Sequence, residues 1–561
     1  MRCLKKLAHK YRALILAYLS LGLAQAFLQS FGSRCFQKVI DHFTDNTLSV
    51  GYIAAYGATM VALYLLSYLD EYPGRRLEHG IMLSLKSEAL RKTAVIDYLA
   101  YVNIGTGTLV QRIENGAAAG SNILFGFYLR LAGGIIPEML FSMAFIALIS
   151  PTVMAAILVG YIAVFLFTNL LLKALYQVKA AILTNEEKLN GLLVRGFMEM
   201  VVFRVNLRFA HELCKAEAAS EEIVASRVKM TLIHEAFFTV FAVLIVFVKI
   251  GIILYGWTAG ELTVGGIVAL IALVDNAYTP IAICNVLYVQ YKLDKVAFAR
   301  YMEFLDAEED GHITRGLPAA GVRGGIQFSG LRFSYHGRVI FQGLDYRIDP
   351  GKTVAFVGES GAGKSTAAKL LAGLLHPEGG RILIDGVELE KIRLDSYYEC
   401  LAYLPQEAPV FDGTLRENLV FDGAVEDGFL LEALEKAGLG GLYAKLEQGL
   451  DTPLGERGAS LSGGERQQLA LARLWFSKAR IIVLDEATSA MDNLTEEAVM
   501  KNVMELLSGR TVISIAHRLD SIQSFDDIAV FQDGRIVEHG TFNELMEKRQ
   551  YFHELYHRAK A

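Results

Sequence analysis

Long apolar runs dominate the first half of the chain and alternate with polar stretches rich in Lys and Arg. A helix that crosses a bilayer needs about 20 consecutive, predominantly apolar residues. Six runs are long enough, and they cover residues 14–36, 50–69, 123–149, 152–172, 236–257 and 264–287. The pattern therefore predicts an all-α transmembrane domain of six helices.

The connections between these runs differ in length and in charge. The turns 150–151 and 258–263 contain no Lys or Arg, whereas the connections 71–122 and 173–234 are long and carry many. Cytoplasmic loops of membrane proteins are enriched in Lys and Arg. We therefore predict that the N-terminus and both long connections are cytoplasmic, and that each long connection forms a helical hairpin below the membrane.

The first twelve residues, MRCLKKLAHKYR, are basic and precede an apolar run, as in a signal peptide. No small-residue cleavage site stands out, and further apolar runs follow. These features favour a retained first membrane helix over a cleaved signal.

The pattern changes near residue 306. Residues 306–325 are charged and contain Gly and Pro, which is typical of a linker. From Ile326 onward, segments of β type alternate with segments of α type, which predicts an α/β domain. The predicted organisation is a transmembrane domain over 1–305, the linker, and a nucleotide-binding domain over 326–561.

A glycine-rich loop indicates the nucleotide. Its residues are Gly358, Glu359, Ser360, Gly361, Ala362, Gly363, Lys364, Ser365 and Thr366. The loop follows a predicted strand, 353–357, and precedes a predicted helix, 364–375. In the pattern G-x-x-x-x-G-K-[ST], glycines let backbone amides approach phosphate oxygens, and the helix N-terminus adds partial positive charge. Lys364 is expected to reach the β- and γ-phosphates and Ser365 to bind Mg²⁺, so ATP and Mg²⁺ are the expected cofactors.

Composition narrows the class of partner. The chain is 53% hydrophobic, its formal net charge is −6, and its mean hydropathy is +0.35. This balance lacks the strong positive charge typical of nucleic-acid-binding proteins, so we expect a lipid bilayer and no nucleic acid as partner. The five cysteines are scattered without the spacing of metal ligands.

A second motif narrows the class of ATPase. Residues 461–468 read LSGGERQQ, and with this motif the stretch 326–561 resembles the ATPase domains of ABC transporters, whose signature is LSGGE. The resemblance implies a short set of residues that contact the γ-phosphate bound by the opposite subunit: Ser462, Gly463, Gly464 and Glu465.

The same resemblance implies roles around the nucleotide. Tyr335 matches the aromatic residue that stacks on adenine, and Gln406 matches the glutamine that reaches Mg²⁺ and the attacking water. Asp485 and Glu486 end an apolar strand, 481–484. Asp485 is expected to hold Mg²⁺ through water, and Glu486 to polarise the nucleophilic water as the catalytic base.

Two further positions match that family. His517 corresponds to the histidine that contacts the γ-phosphate, and Asp492 belongs to the loop that couples the two ATP sites. Met491 stands in that loop where Leu is usual, a change that conserves volume. With Lys364, Gln406 and Glu486, His517 completes the predicted catalytic set.

Residues 455–458 read GERG and resemble a loop of exporter-type ABC proteins that touches the intracellular hairpins. Six spans, long hairpins and a C-terminal ATPase domain complete the resemblance to a half-transporter. Residues 93–102 and 196–206 are the candidate coupling helices at the hairpin tips. Because one chain carries one phosphate loop and one signature, the resemblance implies an obligate dimer, whose partner is an identical or a different chain.

Ionisable residues inside a bilayer are costly and therefore mark functional positions. Asp275 and Glu138 each lie about 17 Å from the nearer end of their span at the helical rise of 1.5 Å per residue. Together with Lys249 and Asn276, they are the predicted lining of a substrate cavity. The alternative is a structural ion pair between Lys249 and a carboxylate.

Three functions are compatible with these features. The first is ATP-driven transport, by alternating access, of a small amphipathic molecule, peptide or lipid out of the cell. The second is import through the same fold, since residues 411–418 and 491–496 look somewhat like siderophore importers of the yersiniabactin and mycobactin type. The third, an ATP-gated channel or regulatory subunit, is disfavoured because gating without turnover would not need Glu486. The expected location is the bacterial inner membrane, with both termini cytoplasmic.

Overall fold

The computed structural model describes residues 2–260, 262–335, 337–421, 423, 425–455, 458–516 and 518–560. The chain forms two compact units. The first comprises Met1–Ala94 and Ile104–Ala307, and the second comprises Val95–Asn103 and Glu308–Ala561.

The helices up to residue 305 include several that are much longer than a bilayer is thick. In chain order they are α1 (Arg2–Lys10), α2 (Arg12–Thr44), α3 (Val50–Thr93), α4 (Tyr98–Ile104), α5 (Thr106–Ser121), α6 (Ile136–Ile149), α7 (Pro151–Met198), α8 (Met200–Val205), α9 (Phe209–Ala259) and α10 (Val264–Leu305). Two π-helical segments, Asn122–Leu129 and Leu131–Ile135, lie between α5 and α6. Helices α3, α7, α9 and α10 are on the order of 60–80 Å long, about twice the hydrocarbon thickness. The long polar connections are thus largely helical, as predicted.

Five helical stretches are long and apolar enough to cross a membrane. They are Arg12–Thr44, Val50–Thr93, Gly107–Ile149, Phe209–Ala259 and Val264–Leu305. These five contain five of the six predicted spans. The remaining span, 152–172, falls in α7, whose apolar part includes Pro151–Ile162. The side chains of residues 163–172 lie outside the described part of the chain.

A hydroxyl side chain caps the helix that follows each of the two short turns. The Ser150 side chain accepts a hydrogen bond from the amide of Val153, and Pro151 is the first residue of α7. The Thr263 side chain accepts one from the amide of Gly266 at 3.0 Å. A hydroxyl cap satisfies an amide that the helix leaves unpaired, and Pro is well tolerated at the first helical position. These residue types therefore fix where α7 and α10 begin.

Small residues let the membrane helices approach each other closely. A Cβ atom on Gly22 of α2 would lie 2.2 Å from the carbonyl oxygen of Gly133, which belongs to the second π-helical segment. Close backbone contact at small residues is a common way of packing membrane helices. Any side chain at Gly22 would force these two segments apart.

The second unit contains two sheets. Its strands are β1 (Ile326–Tyr335), β2 (Arg338–Ile348), β3 (Thr353–Gly358), β4 (Gly379–Ile384), β5 (Val387–Glu388), β6 (Leu401–Leu404), β7 (Ile481–Asp485), β8 (Thr511–Ile515), β9 (Asp527–Gln532) and β10 (Arg535–Gly540). One sheet has the order β2-β1-β4-β5 and is antiparallel. The other has the order β10-β9-β3-β8-β7-β6 and is parallel except for the pair β9–β10.

The second unit also contains helices, some of which pack against the second sheet. They are α11 (Lys364–Leu371), α12 (Leu394–Tyr398), α13 (Leu415–Leu419), α14 (Asp427–Lys436), α15 (Gly440–Tyr443), α16 (Gly463–Ala472), α17 (Asn493–Leu506), α18 (Phe542–Lys548) and α19 (Tyr551–Lys560). Strand β3 lies between β8 and β9, and its residues Val354, Ala355, Phe356 and Val357 are fully buried. A parallel strand covered on both faces is continuously apolar, which explains the unbroken apolar run before the glycine loop. That loop leaves the carboxyl end of β3, the edge at which open α/β sheets bind ligands.

The short segment Val95–Asn103 belongs to the second unit although it precedes most of the membrane helices in sequence. Ile96 pairs with Glu309 in an antiparallel bridge. Tyr98 packs against the core of the second unit, and Nζ of Lys369 lies 5.8 Å from the centre of its ring. The first candidate coupling helix was placed at 93–102, whereas the structure begins α4 at Tyr98. Helix α8 lies inside the second candidate, 196–206.

Candidate ATP site

The glycine-rich loop enters α11 through backbone conformations that favour glycine. The φ angles of Gly358, Gly361 and Gly363 are 145°, 84° and 106°. A Cβ atom on Gly358 would lie 2.2 Å from the carbonyl oxygen of Phe531 in β9. Glycine is therefore required here by the approach of a neighbouring strand as well as by its own backbone. The other residues predicted to bind ATP in this loop lie between β3 and the first turn of α11: Glu359, Ser360, Ala362, Lys364, Ser365 and Thr366.

Lys364 lies across the glycine loop. Its Nζ atom donates hydrogen bonds to the carbonyl oxygens of Gly358 at 2.7 Å and Glu359 at 2.9 Å. Burial lowers the pKa of Lys364, and the nearby carboxylates of Glu486 and Asp485 act in the opposite direction. A buried ammonium group needs negative partners, and phosphate oxygens would supply them.

Ser365 and Asp485 bring two oxygen atoms together beside the loop. The Oγ atom of Ser365 donates to Oδ1 of Asp485 at 3.1 Å, and the hydroxyl of Tyr403 donates to Oδ2 at 3.2 Å. Burial raises the pKa of Asp485, while these two hydrogen bonds oppose the increase. Hydroxyl and carboxylate oxygens are the donors that Mg²⁺ prefers, so the pair fits the predicted ion.

Glu486 and Gln406 form a second contact at the same edge of the sheet. Nε2 of Gln406 donates to Oε2 of Glu486 at 2.7 Å, and the Glu486 amide donates to the carbonyl oxygen of Ile515 at 3.2 Å. Glu486 has φ of 52°, a left-handed conformation that is costly for a residue other than glycine. Such strain clusters at active sites. The structure therefore brings the predicted base and the predicted water-orienting amide into direct contact.

The signature residues begin α16 through a capping box. The Ser462 side chain accepts a hydrogen bond from the Glu465 amide at 3.2 Å, and the Glu465 carboxylate accepts one from the Ser462 amide at 2.7 Å. These bonds lower the pKa of Glu465. Gly463 and Gly464 follow the cap, and a Cβ atom on Gly464 would lie 3.1 Å from the carbonyl oxygen of Ala490. The paired glycines therefore allow α16 to approach the loop that contains Asp492.

Gln467 connects two parts of the site, although the sequence predicted no role for it. Gln467 is buried, its Oε1 accepts from the Ala490 amide at 2.8 Å, and its Nε2 donates to Oγ of Ser489 at 3.0 Å. Gln467 thus ties the signature helix to the segment that follows Glu486. A glutamine two positions after the signature glutamate was the only sequence signal for this link.

Tyr335 lies at the end of β1 beside the phosphate loop. Its ring makes an edge contact with Phe333, with centroids 4.9 Å apart. Burial raises the pKa of Tyr335, and a hydrogen bond with the Thr366 side chain opposes the increase. The predicted adenine-stacking residue is thus adjacent to the first turn of α11.

Asp492 caps the N-terminus of α17. Its Oδ1 accepts a hydrogen bond from the Thr495 amide at 3.0 Å, and this backbone bond lowers the pKa of Asp492. His517 lies outside the described residues, as do Glu456 and Arg457 of the GERG loop.

The residues predicted to line a substrate cavity make contacts within the first unit. Nζ of Lys249 in α9 lies 2.7 Å from Oδ1 of Asp275 in α10. Oδ1 of Asn276 accepts a hydrogen bond from Nε2 of Gln29 at 3.1 Å. Glu138 is half-buried in the first turn of α6. The arrangement of Lys249 and Asp275 is the ion pair that the sequence offered as the alternative to a substrate site.

The sequence matches one protein-family profile over part of the chain and one relative over most of it. A family profile described as ABC transporter matches residues 341–489. The YwjA protein of Bacillus subtilis, described as an uncharacterized ABC transporter ATP-binding protein, is 31% identical over 544 residues, which make up 91% of this chain and 91% of that protein.

Other relatives match over about half of their own length. An ATP-dependent lipid A-core flippase of Alcanivorax borkumensis is 35% identical over 57% of this chain and 56% of that protein. An ATM1-type heavy metal exporter of Novosphingobium aromaticivorans is 35% identical over 55% of this chain and 51% of that protein. Among solved structures, a bacterial Atm1-family ABC exporter with ATP bound is similar with a TM-score of 0.83 and 25% identity over 99% of both chains.

Proposed function

Since the chain belongs to the ABC transporters and joins an exporter-type helical membrane domain to a C-terminal ATPase domain, we propose that it exports an amphipathic small molecule, peptide or lipid as a homodimer. The single observation that carries the proposal is the contact between Gln406 and Glu486, 2.7 Å long, beside the pair of Ser365 and Asp485. A chain that holds a base, a water-orienting amide and an ion-binding pair together is equipped for hydrolysis as well as for binding.

ATP is bound, in this proposal, by the loop 358–366. Backbone amides of the loop and the N-terminus of α11 receive the phosphates. Lys364 exchanges its two carbonyl partners for phosphate oxygens, and Tyr335 stacks on adenine. Ser365 and Asp485 would hold Mg²⁺, which when bound would neutralise charge on the transferred phosphoryl group.

Hydrolysis depends on Glu486 as general base. Its carboxylate accepts the proton of a water molecule that attacks the γ-phosphate, and Gln406 orients that water. The bond from the γ-phosphorus to the bridging oxygen breaks, and ADP and inorganic phosphate are the products. A positioned general base contributes about 10²–10⁴-fold to a rate. His517, proposed from its sequence position alone, contacts the γ-phosphate.

The homodimer is proposed from the distribution of these parts. The signature residues 462–465 are proposed to close over ATP held by the partner, and Asp492 to lie between the two sites. Gln467 supports this arrangement because its two hydrogen bonds fix the signature helix against the segment after Glu486. An identical partner suffices, since this chain carries every catalytic position intact.

The membrane arrangement is proposed on charge. The proposed domain limits are 1–305 and 326–561 with a linker at 306–325, although residues 95–103 and 308–325 belong to the second compact unit. Lys and Arg in the long connections favour a cytoplasmic N-terminus, C-terminus and ATPase domain. The proposed location is the bacterial inner membrane. Export is supported by the relative named as a heavy metal exporter, and a lipid-like substrate by the relative named as a lipid A-core flippase.

Complementation between two inactive variants tests the homodimer. Lys364→Ala removes the phosphate-binding lysine, and Ser462→Arg blocks the signature. Each variant alone is expected to lack ATPase activity. Coexpressed, the two variants form mixed dimers in which the intact phosphate loop of one chain meets the intact signature of the other.

The expected result is partial recovery of ATPase activity in the coexpressed sample only. Thr541→Arg, which alters the cap of α18 instead of the signature, is the matched control and is expected to stay active alone. A coexpressed sample that forms mixed dimers but is as inactive as each variant would contradict sites shared between two copies.

A further inference from the structure

A polar cavity of about 420 Å³ lies within the first unit, between α2, α3, the π-helical segment Asn122–Leu129 and α10. Its size falls in the range of small-molecule sites, about 300–1,000 Å³. The side chains that matter for its chemistry are those of Tyr18, Asp70, Phe127, Arg130, Tyr291 and Asp294.

Acidic groups outnumber basic groups around this cavity. Its lining contains four carboxylates and two guanidinium groups. Three of the six form their own network, since Arg75 bonds to Glu71 at 2.8 Å and to Glu78 at 3.0 Å. Among the lining residues that the structure describes, Asp70, Asp294 and Arg130 lie outside this network. With all groups ionised, the cavity carries an excess of negative charge.

The two aspartates are held away from bulk solvent. Oδ1 of Asp70 is buried and accepts no hydrogen bond from the residues that the structure describes. Asp294 is 7% exposed, and its Oδ1 accepts from Nε2 of Gln290 at 3.0 Å. A buried acceptor without a donor is destabilising. The cavity therefore favours a ligand that brings positive charge or a hydrogen-bond donor to Asp70.

Aromatic rings form the other part of the lining. The rings of Phe127 and Tyr291 stack with centroids 4.4 Å apart, and those of Tyr18 and Phe125 lie 5.4 Å apart. Aromatic faces attract cations and also bury apolar groups. Acidic and aromatic surfaces in one cavity select a ligand that is both cationic and apolar.

The backbone beside the cavity is also unusual. Asn122–Leu129 and Leu131–Ile135 are π-helical, and Arg130 lies between them. π-Helical turns are rare and frequently occur at functional sites. Here they place Asn122, Phe127 and Arg130 in the same cavity wall.

We infer that this cavity binds lipophilic organic cations and that they are the class of substrate the protein exports. The binding site stands on its own geometry, whereas its place in transport rests on the function proposed above. A metal ion is a poorer match because the cavity is far larger than an ion, and because the described residues contain no group of three or more His, Cys, Asp or Glu side chains that could hold one.

Binding of tetraphenylphosphonium to the full chain in lipid nanodiscs tests this inference. Tetraphenylborate has the same shape and the opposite charge, so it separates charge selection from partition into lipid. Equilibrium dialysis is expected to show saturable binding of the cation and none of the anion, with empty nanodiscs as blank. Equal binding of both ions, or no saturable binding of the cation, would overturn the inference.

Variants locate the site. Asp70→Asn and Asp294→Asn are expected to weaken cation binding about tenfold each, as loss of one favourable contact does. Asp45→Asn, at the exposed C-terminal end of α2, is the control and should bind normally. Arg130→Gln removes the opposing positive charge and should tighten binding, which keeps the test decisive if an aspartate variant does not fold.

ATPase activity of the same samples separates a failure of the inferred substrate class from a failure of the proposed function. Hydrolysis that Glu486→Gln abolishes, together with no saturable cation binding, would remove the substrate class and leave the proposed function standing. Cation binding without any hydrolysis would keep the site and contradict the proposed function.

Discussion

The side-chain amide of Gln406 donates a hydrogen bond, 2.7 Å long, to the Oε2 atom of Glu486. Glu486 itself adopts a left-handed backbone conformation, with its amide bonded to the carbonyl oxygen of Ile515 in β8. The carboxylate is thus fixed both by its backbone and by its neighbour. Preorganisation of this kind matters because small misplacements of a catalytic group lower rates steeply.

Removal of the Gln406 amide is expected to impair hydrolysis more than ATP binding. Gln406→Ala should lower kcat about 10–100-fold, since the water and the base lose a shared partner while the phosphate loop is unchanged. Steady-state ATPase assays and equilibrium binding of ATP measure the two effects. Gln448→Ala, at an exposed site away from the loop, is the control. A variant that loses affinity and keeps kcat would assign Gln406 to binding instead.

The signature serine should have a second role beyond its helix cap. Ser462 caps α16 and Thr541 caps α18 through the same capping box. Replacing either by Ala is expected to cost about 1 kcal/mol of stability. Only Ser462→Ala should also reduce ATPase activity, because only that hydroxyl faces a proposed nucleotide. Chemical denaturation and ATPase assays on both variants check this, and equal activity of the two would leave Ser462 as a cap alone.

We expect the stability of the second unit to depend on pH because of an ion pair between His376 and Asp310. Nε2 of His376 lies 3.5 Å from Oδ2 of Asp310, and the hydrogen bond between them raises the pKa of His376 although burial opposes it. Despite burial, bonds from His376 and His312 lower the pKa of Asp310. Asp97 and Glu390 add negative charge near the ring.

The direction of the pH dependence of stability follows from these two pKa shifts. Stabilisation by protonated His376 is complete below its ordinary pKa and is lost as the pH rises through the raised pKa. Stabilisation by Asp310 is lost only as the pH falls through its lowered pKa. The thermal midpoint of the native protein should exceed that of His376→Gln at about pH 5.5, and the gap should close by about pH 8.5. A constant gap would exclude the ion pair as its cause, and His211→Gln, at an exposed site, is the control for loss of an imidazole outside this ion pair.

The pair of Lys249 and Asp275 is expected to be structural. Lys249→Met leaves Asp275 without its partner and should destabilise the protein by about 1–3 kcal/mol. The double variant Lys249→Met with Asp275→Leu removes both charges and should recover part of that loss, because neither group is left unpaired. Thermal unfolding in detergent measures the difference. Altered transport by the double variant at unchanged stability would return these residues to the substrate path.

Local patterns indicated most of the residues that meet in the candidate ATP site. The glycine loop, the strand before it and the acidic strand end each lie in a continuous stretch of sequence, and the structure brings them to one sheet edge. The helix after the loop is shorter than predicted, ending at Leu371 instead of 375. Gly373, with φ of 68°, donates its amide to the Leu370 carbonyl oxygen, and a left-handed glycine ends a helix.

Contacts between distant segments were harder to predict. Asp70 and Asp294 lie outside the apolar runs 50–69 and 264–287, and no local sequence pattern indicates a shared site for them. Only the packing of α2, α3 and α10 shows that both line one cavity. Likewise, no local pattern indicates that Val95–Asn103 belongs with the second unit, because its partner Glu309 is more than two hundred residues away.

The most direct measurement is ATPase activity of this chain expressed alone and reconstituted in lipid, beside Glu486→Gln. The account predicts robust hydrolysis by the native chain and its loss in the variant, with ATP binding retained by both. Negligible hydrolysis by a folded native sample that binds ATP would contradict a competent homodimer and would require a different second subunit.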